Sequence, residues 1–516
     1  MTLPRLTPVR RWRPYRRIGV DVRTALGVVG ALLTWFAVAF AAPAAVALAS
    51  GGPPWPFLAA GLGAAAAGLA LKRLTGRRPP LGVREGFLVV VAVWLLVPAF
   101  GALPFVLGRV PQLRHPVDAY FEAMSGFTAT GATVLTDVSA LEPAMLFWRQ
   151  STQVLGGLGV IVLALAVLPR LRIGGRELLS YELPGGSVEV ESLGTTIRDT
   201  AQRLWKVYVA VTVLGVLALA CLGWSGLDRR MDLAGAFSYG TSAVALGGFA
   251  PDAGSARGLA PVTQWVLCGL MAVAGVNLLR LYRLAALRQY RGVARDDELR
   301  LYLCLLVVGT SVLAAELVPG GPAEDAPGDV RHAAFQAVST MTTTGLATVD
   351  WSTWGTLATV TLLGLMFVGA CAGSASGSIK VVRHLTLFRF ARRELEQAVH
   401  PDAVIPVRVS GRVVEAPALR SVLLFVVLYV VTLALGTLCV AVDAATGTGG
   451  TDAFTALGAA AACLGNVGPA FGEVGPFGSY APLGPVSKTA LTALMLLGRI
   501  EIVPLAVLLH RNYWRA

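Results

Sequence analysis

Charge is scarce in this chain. Only 14% of its 516 residues are charged, against about 25% in a soluble globular protein. A soluble domain is therefore excluded, and with 55% hydrophobic residues the chain reads as an integral membrane protein. Lysine is nearly absent, with 4 Lys beside 39 Arg. Together with abundant Ala and Gly, that bias fits a GC-rich bacterial genome. The six cysteines (Cys221, Cys268, Cys304, Cys371, Cys439 and Cys463) stand singly in or beside apolar segments. They suggest no disulfide framework and no zinc site. The five histidines are scattered. No HExxH, GxSxG or kinase signature is present. Gly373, Gly377 and Lys380 superficially suggest a phosphate-binding loop, but that motif needs its lysine directly after the second glycine.

The net charge of +13 does not make this a nucleic-acid binder. Most basic residues fall between apolar runs, where the positive-inside rule wants them. Arg5, Arg10, Arg11, Arg13, Arg16 and Arg17 precede the first run, which at residues 25–49 is too long for a signal-peptide core. With about 20 apolar residues needed per span, ten spans are expected. Two come first, near 25–49 and 56–72. Four pairs follow, near 84–107 and 142–168, 203–223 and 261–287, 299–318 and 353–386, and 419–443 and 485–510. An even count puts both termini in the cytoplasm.

Each pair encloses a short apolar segment and a Gly-centred loop. The loops read Thr128-Ala129-Thr130-Gly131-Ala132, Ala245-Leu246-Gly247-Gly248-Phe249, Thr343-Thr344-Gly345-Leu346 and Asn466-Val467-Gly468-Pro469. The short segments open at Asp118, Asp232, His332 and Asp452, and Asp is a good N-cap. The loop glycines follow these positions by 13, 16, 13 and 16 residues, too few to cross and return but enough for a half-membrane helix. In the second loop either Gly247 or Gly248 is the counterpart of the other three glycines.

Non-helical backbone at membrane depth persists only where protein buries it or it lines water. A half-helix directs its C-terminal partial negative charge inward. Glycine lets the backbone that follows turn its carbonyls to a common axis, where they replace a cation's hydration shell. The hydroxyls of Thr128, Thr130, Thr343 and Thr344 are further candidate oxygen ligands. Four such loops, separated by 117, 97 and 123 residues, predict a cation pore with potassium as the transported ion.

The expected fold class is an all-α polytopic membrane protein: four helix–pore loop–helix repeats in fourfold pseudosymmetry, plus two extra N-terminal membrane helices. The divisions are a basic cytoplasmic N-terminus at 1–23, the extra helices at 24–83, and repeat 1 at 84–170 with its filter at 128–132. A cytoplasmic linker at 171–202 and repeat 2 at 203–290, filter 245–249, come next. Repeat 3 at 298–386 holds a filter at 342–346 and a helix break at 369–378. A second linker at 387–418 and repeat 4 at 419–516, filter 465–469, complete the chain.

At these residues the chain resembles the Trk/Ktr/HKT superfamily of potassium transporters, most closely its TrkH branch. Ser125–Val134 is similar to the first filter of that branch, and Gly369–Arg383 to the loop inside the second helix of the third repeat. His400–Arg408, Leu464–Pro469 and Leu497–Glu501 are similar to the following linker, the fourth filter and the last helix. The two leading helices favour TrkH over the shorter KtrB type. The resemblance implies potassium uptake at the bacterial inner membrane, with potassium held at the filter positions and no covalent cofactor. It also implies a homodimer in membrane lipid, coupled to a cytosolic nucleotide-binding subunit of the TrkA kind. It assigns a gate to Gly373, Ser374, Ala375, Ser376, Gly377, Ser378 and Lys380, and to Arg499 as an electrostatic barrier in the pore. In the plant HKT branch, Ser at the first filter glycine goes with sodium permeability, and Gly131 here argues for potassium. Two departures stand out: Ala245-Leu246 where the family often has hydroxyl residues, and a glycine-poorer helix break.

Glu122, in the first short segment, reads as a buried carboxylate bracing the filter. Sodium- or proton-coupled potassium symport is the alternative within transport. A polytopic membrane enzyme is the alternative outside it, but the clustered polar catalytic residues it needs are not found.

Overall fold

The computed structural model describes residues 20–75, 82–167, 197–320, 326–446 and 452–515. Nearly all of the basic N-terminus at 1–23 and most of the linker expected at 171–202 lie outside them.

The first apolar run forms α1 (Val22–Phe36), a 3-10 turn and α2 (Ala41–Ala49); α3 (Trp55–Arg73) packs on α1. Asp21 caps α1 by accepting the Thr24 amide hydrogen at 3.1 Å. The two helices approach so closely at Gly30 and Gly68 that a Cβ on Gly30 would sit 2.6 Å from the Gly68 carbonyl oxygen. Small residues permit this kind of contact between membrane helices.

The helices expected as four repeats follow. Repeat 1 comprises α4 (Val83–Leu107), the short α5 (Pro116–Phe127) and α6 (Pro143–Val167). Repeat 2 comprises α7 (Ile197–Trp224), the short α8 (Leu233–Ala245), α9 (Pro261–Ala274) and α10 (Leu278–Ala285). A five-residue α11 (Tyr290–Ala294) leads to repeat 3: α12 (Asp297–Gly320), the short α13 (Ala326–Met341), α14 (Thr356–Val368) and α15 (Val381–Val399). Repeat 4 comprises α16 (Ala416–Thr446), the short α17 (Ala453–Leu464), α18 (Pro485–Arg499) and α19 (Val503–Leu509), with α20 (Arg511–Trp514) at the end. Apolar side chains from all four repeats and the leading helices share one core.

Among the described residues six helices are long and apolar enough to cross a membrane, or eight if each of two bent pairs counts as one span. The expectation of an unbroken second helix fails in two repeats, the second and the fourth. Between α9 and α10 the chain turns by 104°. Asn277 causes this stop and restart, because its side chain accepts the Leu279 amide hydrogen at 2.8 Å and caps α10. Between α18 and α19 the bend is 111°. There Glu501 and Ile502 take left-handed φ of 61° and 60°, conformations that no helix continues through. Between α14 and α15 lies the loop 369–380, which coincides with the break expected at 369–378.

Two of the expected helix starts also shift. Asp232 and Asp452 cap α8 and α17, accepting the Gly235 and Thr455 amide hydrogens at 2.6 and 2.9 Å. Asp118, however, lies inside α5, whose cap is His115, and is ion-paired with Lys488 of α18 at 2.7 Å. His332 lies inside α13 and bonds Thr348 at 2.8 Å. The linker expected at 387–418 is structured. It holds the end of α15 and a hairpin, Arg408–Val409 paired with Arg412–Val413. Ser410 and Gly411 turn it with φ of 48° and 78°, the two positive angles that a tight two-residue hairpin needs.

Candidate functional site

The short helices α5, α8, α13 and α17 end in four loops of one conformation. In each, two residues two apart have positive φ: Ala129 and Gly131, Leu246 and Gly248, Thr343 and Gly345, Asn466 and Gly468. Gly248, not Gly247, is thus the conformational counterpart of the other three glycines. The non-glycine member of each pair adopts a left-handed angle at a cost of about 1–3 kcal/mol, which only over-determining surroundings sustain.

The four loops close on one another in a ring. A Cβ on Gly131 would lie 2.6 Å from the carbonyl oxygen of Gly247. A Cβ on Gly248 would strike the carbonyl oxygen of Thr344, one on Gly345 that of Val467, and one on Gly468 that of Thr130. Each obstacle is the carbonyl of the residue just before the next repeat's glycine. Thr130, Gly247, Thr344 and Val467 therefore place four equivalent oxygens around one ring, each beside a residue with no side chain.

The threonine hydroxyls brace the loops. Thr128 donates to the Met124 carbonyl and pairs with the Thr130 hydroxyl, both at 2.7 Å. Thr344 pairs with Thr342 at 2.7 Å. Thr343 accepts from the Gly377 amide at 2.9 Å. The second loop has no hydroxyl of its own, and Gln153 from α6 takes that place. Its Oε1 accepts from the Phe249 amide at 3.1 Å and from the Ser242 hydroxyl at 3.3 Å. Repeat 4 is tied to repeat 1 by Asn466, whose Nδ2 donates to Thr130 Oγ1 and to the Met495 carbonyl, both at 2.9 Å. Tyr480 holds the same loop, donating to the Gly468 carbonyl at 2.7 Å.

Glu122 is fully buried behind the first loop. It accepts from the Thr133 hydroxyl at 2.9 Å, the Val134 amide at 3.1 Å and Arg149 Nε at 2.7 Å. Arg149 continues to the Ala250 carbonyl at 3.1 Å and lies 3.6 Å over the Phe249 ring. The pair clamps loops 1 and 2 together.

The loop 369–380 lies directly against this ring. Gly377 bonds Thr343 from the third loop, and a Cβ on Gly377 would lie 2.8 Å from Asn466 Cβ of the fourth. Positive φ at Gly369, Gly373 and Ser378 keeps the segment out of helix. Its serines bond inward: Ser374 to the Cys371 carbonyl at 2.7 Å, Ser376 to Ser374 at 3.0 Å, and Ser378 to the Met366 carbonyl at 2.6 Å. Arg499, buried at the end of α18, donates to the Ala375 carbonyl and, at 3.2 Å, to the Gly156 carbonyl of α6. Lys380 pairs with Glu501 at 3.0 Å, and Arg383 bonds the other oxygen of the same carboxylate. All the sequence-derived positions of loop and break thus fall in one contiguous region.

Sequence reasoning missed three polar residues behind the loop. Glu298 Oε1 accepts the Ala372 amide hydrogen at 2.6 Å, and Asn277 Nδ2 donates to the Ala372 carbonyl at 2.6 Å. Arg280 pairs with Glu298 at 2.7 Å and with Asp296 at 2.9 Å. The Gly-Val-Asn at 275–277 is the one sequence signal that marked this spot. Among the described residues no group of three or more His, Cys, Asp or Glu is placed to hold a metal ion.

A family profile described as TrkH, cation transport protein, matches residues 57–515. The chain is 35% identical over 437 residues to the Trk system potassium uptake protein TrkH of Salmonella typhimurium, covering 84% of this chain and 86% of that one. It is 34% identical over 502 residues to the protein of the same name from Halomonas elongata, covering 96% of this chain and 100% of that one. The crystal structure of the potassium transporter TrkH from Vibrio parahaemolyticus superposes with a TM-score of 0.83 at 31% identity, covering 96% of this chain and 100% of that one.

Proposed function

The chain belongs to the TrkH family of cation transport proteins, and from that premise we propose that it takes up potassium across the bacterial inner membrane through the ring of four loops. The family is one of multi-pass membrane transporters, not of enzymes. One observation carries the reading: the carbonyls of Thr130, Gly247, Thr344 and Val467 each abut the glycine of the loop before, with Thr130 closing the ring on Gly468.

Such a ring suits a monovalent cation. Carbonyl oxygens stand in for the water that the ion leaves behind. The C-terminal ends of α5, α8, α13 and α17 point toward the same centre, each worth about half a negative charge. The threonine hydroxyls, already bonded within the loops, hold the carbonyls in place. The membrane potential supplies about 2.3 kcal/mol per charge per 100 mV, so accumulation needs no ATP hydrolysis in this chain.

Below the ring, residues 373–378 close the path and Arg499 places a positive charge on it. Opening requires Arg499 to release the Ala375 carbonyl and the loop to withdraw. Two copies of the chain, each with its own pore, dock a cytosolic nucleotide-binding subunit of the TrkA kind, which controls that step.

The test is growth at low potassium of a potassium-auxotrophic bacterium expressing this chain with its partner subunit, wild type against Gly131→Ser, with sodium varied. Rescue by the wild type, weakened or made sodium-permeable by the substitution, supports the reading. Inserted protein that moves no potassium, with Gly131→Ser indistinguishable, would sink it.

A further inference from the structure

A cavity of about 190 Å³ opens beside the α9–α10 break, on the side that the arginine-rich connectors assign to the cytoplasm. Its walls come from α10, α11, the segment before α12, and the 408–413 hairpin. They carry four arginines, Arg280, Arg283, Arg295 and Arg412, against one carboxylate, Asp296. Ser410 adds a hydroxyl. Guanidinium forks from several elements converging on one concavity match the oxygens of a phosphate, which accepts two parallel hydrogen bonds from each fork.

We propose that this cavity binds a phosphate-bearing anion and that its occupancy biases the 369–380 loop. The wall of the cavity is bonded to that loop at Ala372 and its two neighbours. Asn277, which lines the cavity, holds the Ala372 carbonyl, and Glu298, which Arg280 pairs, holds the Ala372 amide, each at 2.6 Å. The Leu278 amide donates to the Gly373 carbonyl at 3.3 Å, and the Cys371 amide to the Gly275 carbonyl at 3.1 Å. An anion drawing Arg280 toward the cavity weakens its hold on Glu298 and so loosens one end of the Ala372 clamp. The binding claim stands by itself, whereas the bias on the loop rests on the gate reading above.

The phosphate has two sources, a soluble phosphate or nucleotide and the headgroup of an anionic lipid. Calorimetric titration of the full chain in neutral detergent with inorganic phosphate and with ATP tests the first. Native mass spectrometry after extraction from liposomes of phosphatidylcholine, alone or mixed with phosphatidylglycerol, tests the second. The double variant Arg295→Gln/Arg412→Gln alters exposed side chains and is used once its monodisperse peak and melting temperature match the wild type; Arg392→Gln, an exposed arginine paired with Glu396, is the control. The expected result is binding in one arm, weakened about tenfold or more by the double variant and unchanged by the control. Absence of binding in both arms, or binding that the double variant leaves intact, overturns the site. Rubidium flux in liposomes with and without the bound species then separates the claims. Binding without any change in flux removes the coupling and leaves the site.

Discussion

Glu122 accepts a hydrogen bond from Arg149 at 2.7 Å, with 0% and 2% of the two side chains exposed. Breaking such a pair by removing one partner leaves a buried charge alone, a loss of about 3–5 kcal/mol. Arg149→Met and Glu122→Gln should each lower the temperature at which the detergent-solubilised protein leaves its monodisperse peak. The double variant should lose less than the two singles together, because the charges compensate one another. Additive losses would show that the two residues act independently.

The two adjacent glycines of the second loop meet different obstacles. A Cβ on Gly247 would press on the Gln153 side chain, but one on Gly248 would press on the backbone of Thr344. A left-handed φ adds about 1–3 kcal/mol at Gly248 alone. Gly248→Ala should therefore reduce potassium uptake more than Gly247→Ala at matched expression. Equal loss, or the reverse order, would contradict the alignment of Gly248 with Gly131, Gly345 and Gly468.

Gln153 substitutes for the hydroxyls that the second loop lacks. Gln153→Leu leaves the buried Phe249 amide without its acceptor, at about 1–3 kcal/mol. The expected outcome is stronger inhibition of potassium uptake by sodium. Gln153→Glu keeps an acceptor and should stay nearer to wild type. A sodium response unchanged in both variants would leave Gln153 without a role in selectivity.

Arg499 links the 369–380 loop to α6 through the Ala375 and Gly156 carbonyls. Arg499→Gln removes its positive charge and loosens that link. Rubidium flux into liposomes holding the chain without any partner subunit should rise several-fold. A flux equal to or below wild type would argue that Arg499 supports the fold and not the barrier.

Much of this was legible in the residues because the repeat is spelled out four times. The loop glycines, the capping Asp232 and Asp452, and the small-residue run at 369–378 each carry a local signal. The breaks at 275–277 and 500–502 carried almost none. Hydropathy runs straight through both, and the second depends on left-handed angles at Glu501 and Ile502 that no propensity anticipates. The roles of Gln153, Glu298 and Arg280 were also hidden. Each acts on a loop in another part of the chain, and one sequence without its contacts cannot pair them. Asp118 misled because an acid near a helix start usually caps it, whereas here it answers Lys488.

The bond from Asn466 to Thr130 spans 336 positions. Synthesis proceeds at about 5–20 residues per second, so Thr130 waits roughly 20–70 s on the ribosome's schedule before its partner exists. For that interval the ring has no closing segment, and the second and third loops arrive one after the other, Gly345 only 121 residues ahead of Asn466. Whatever shelters the newborn chain, whether lipid, the insertion machinery or a temporary packing of α4 and α6, must tolerate an unfinished circle until the last quarter of the polypeptide arrives.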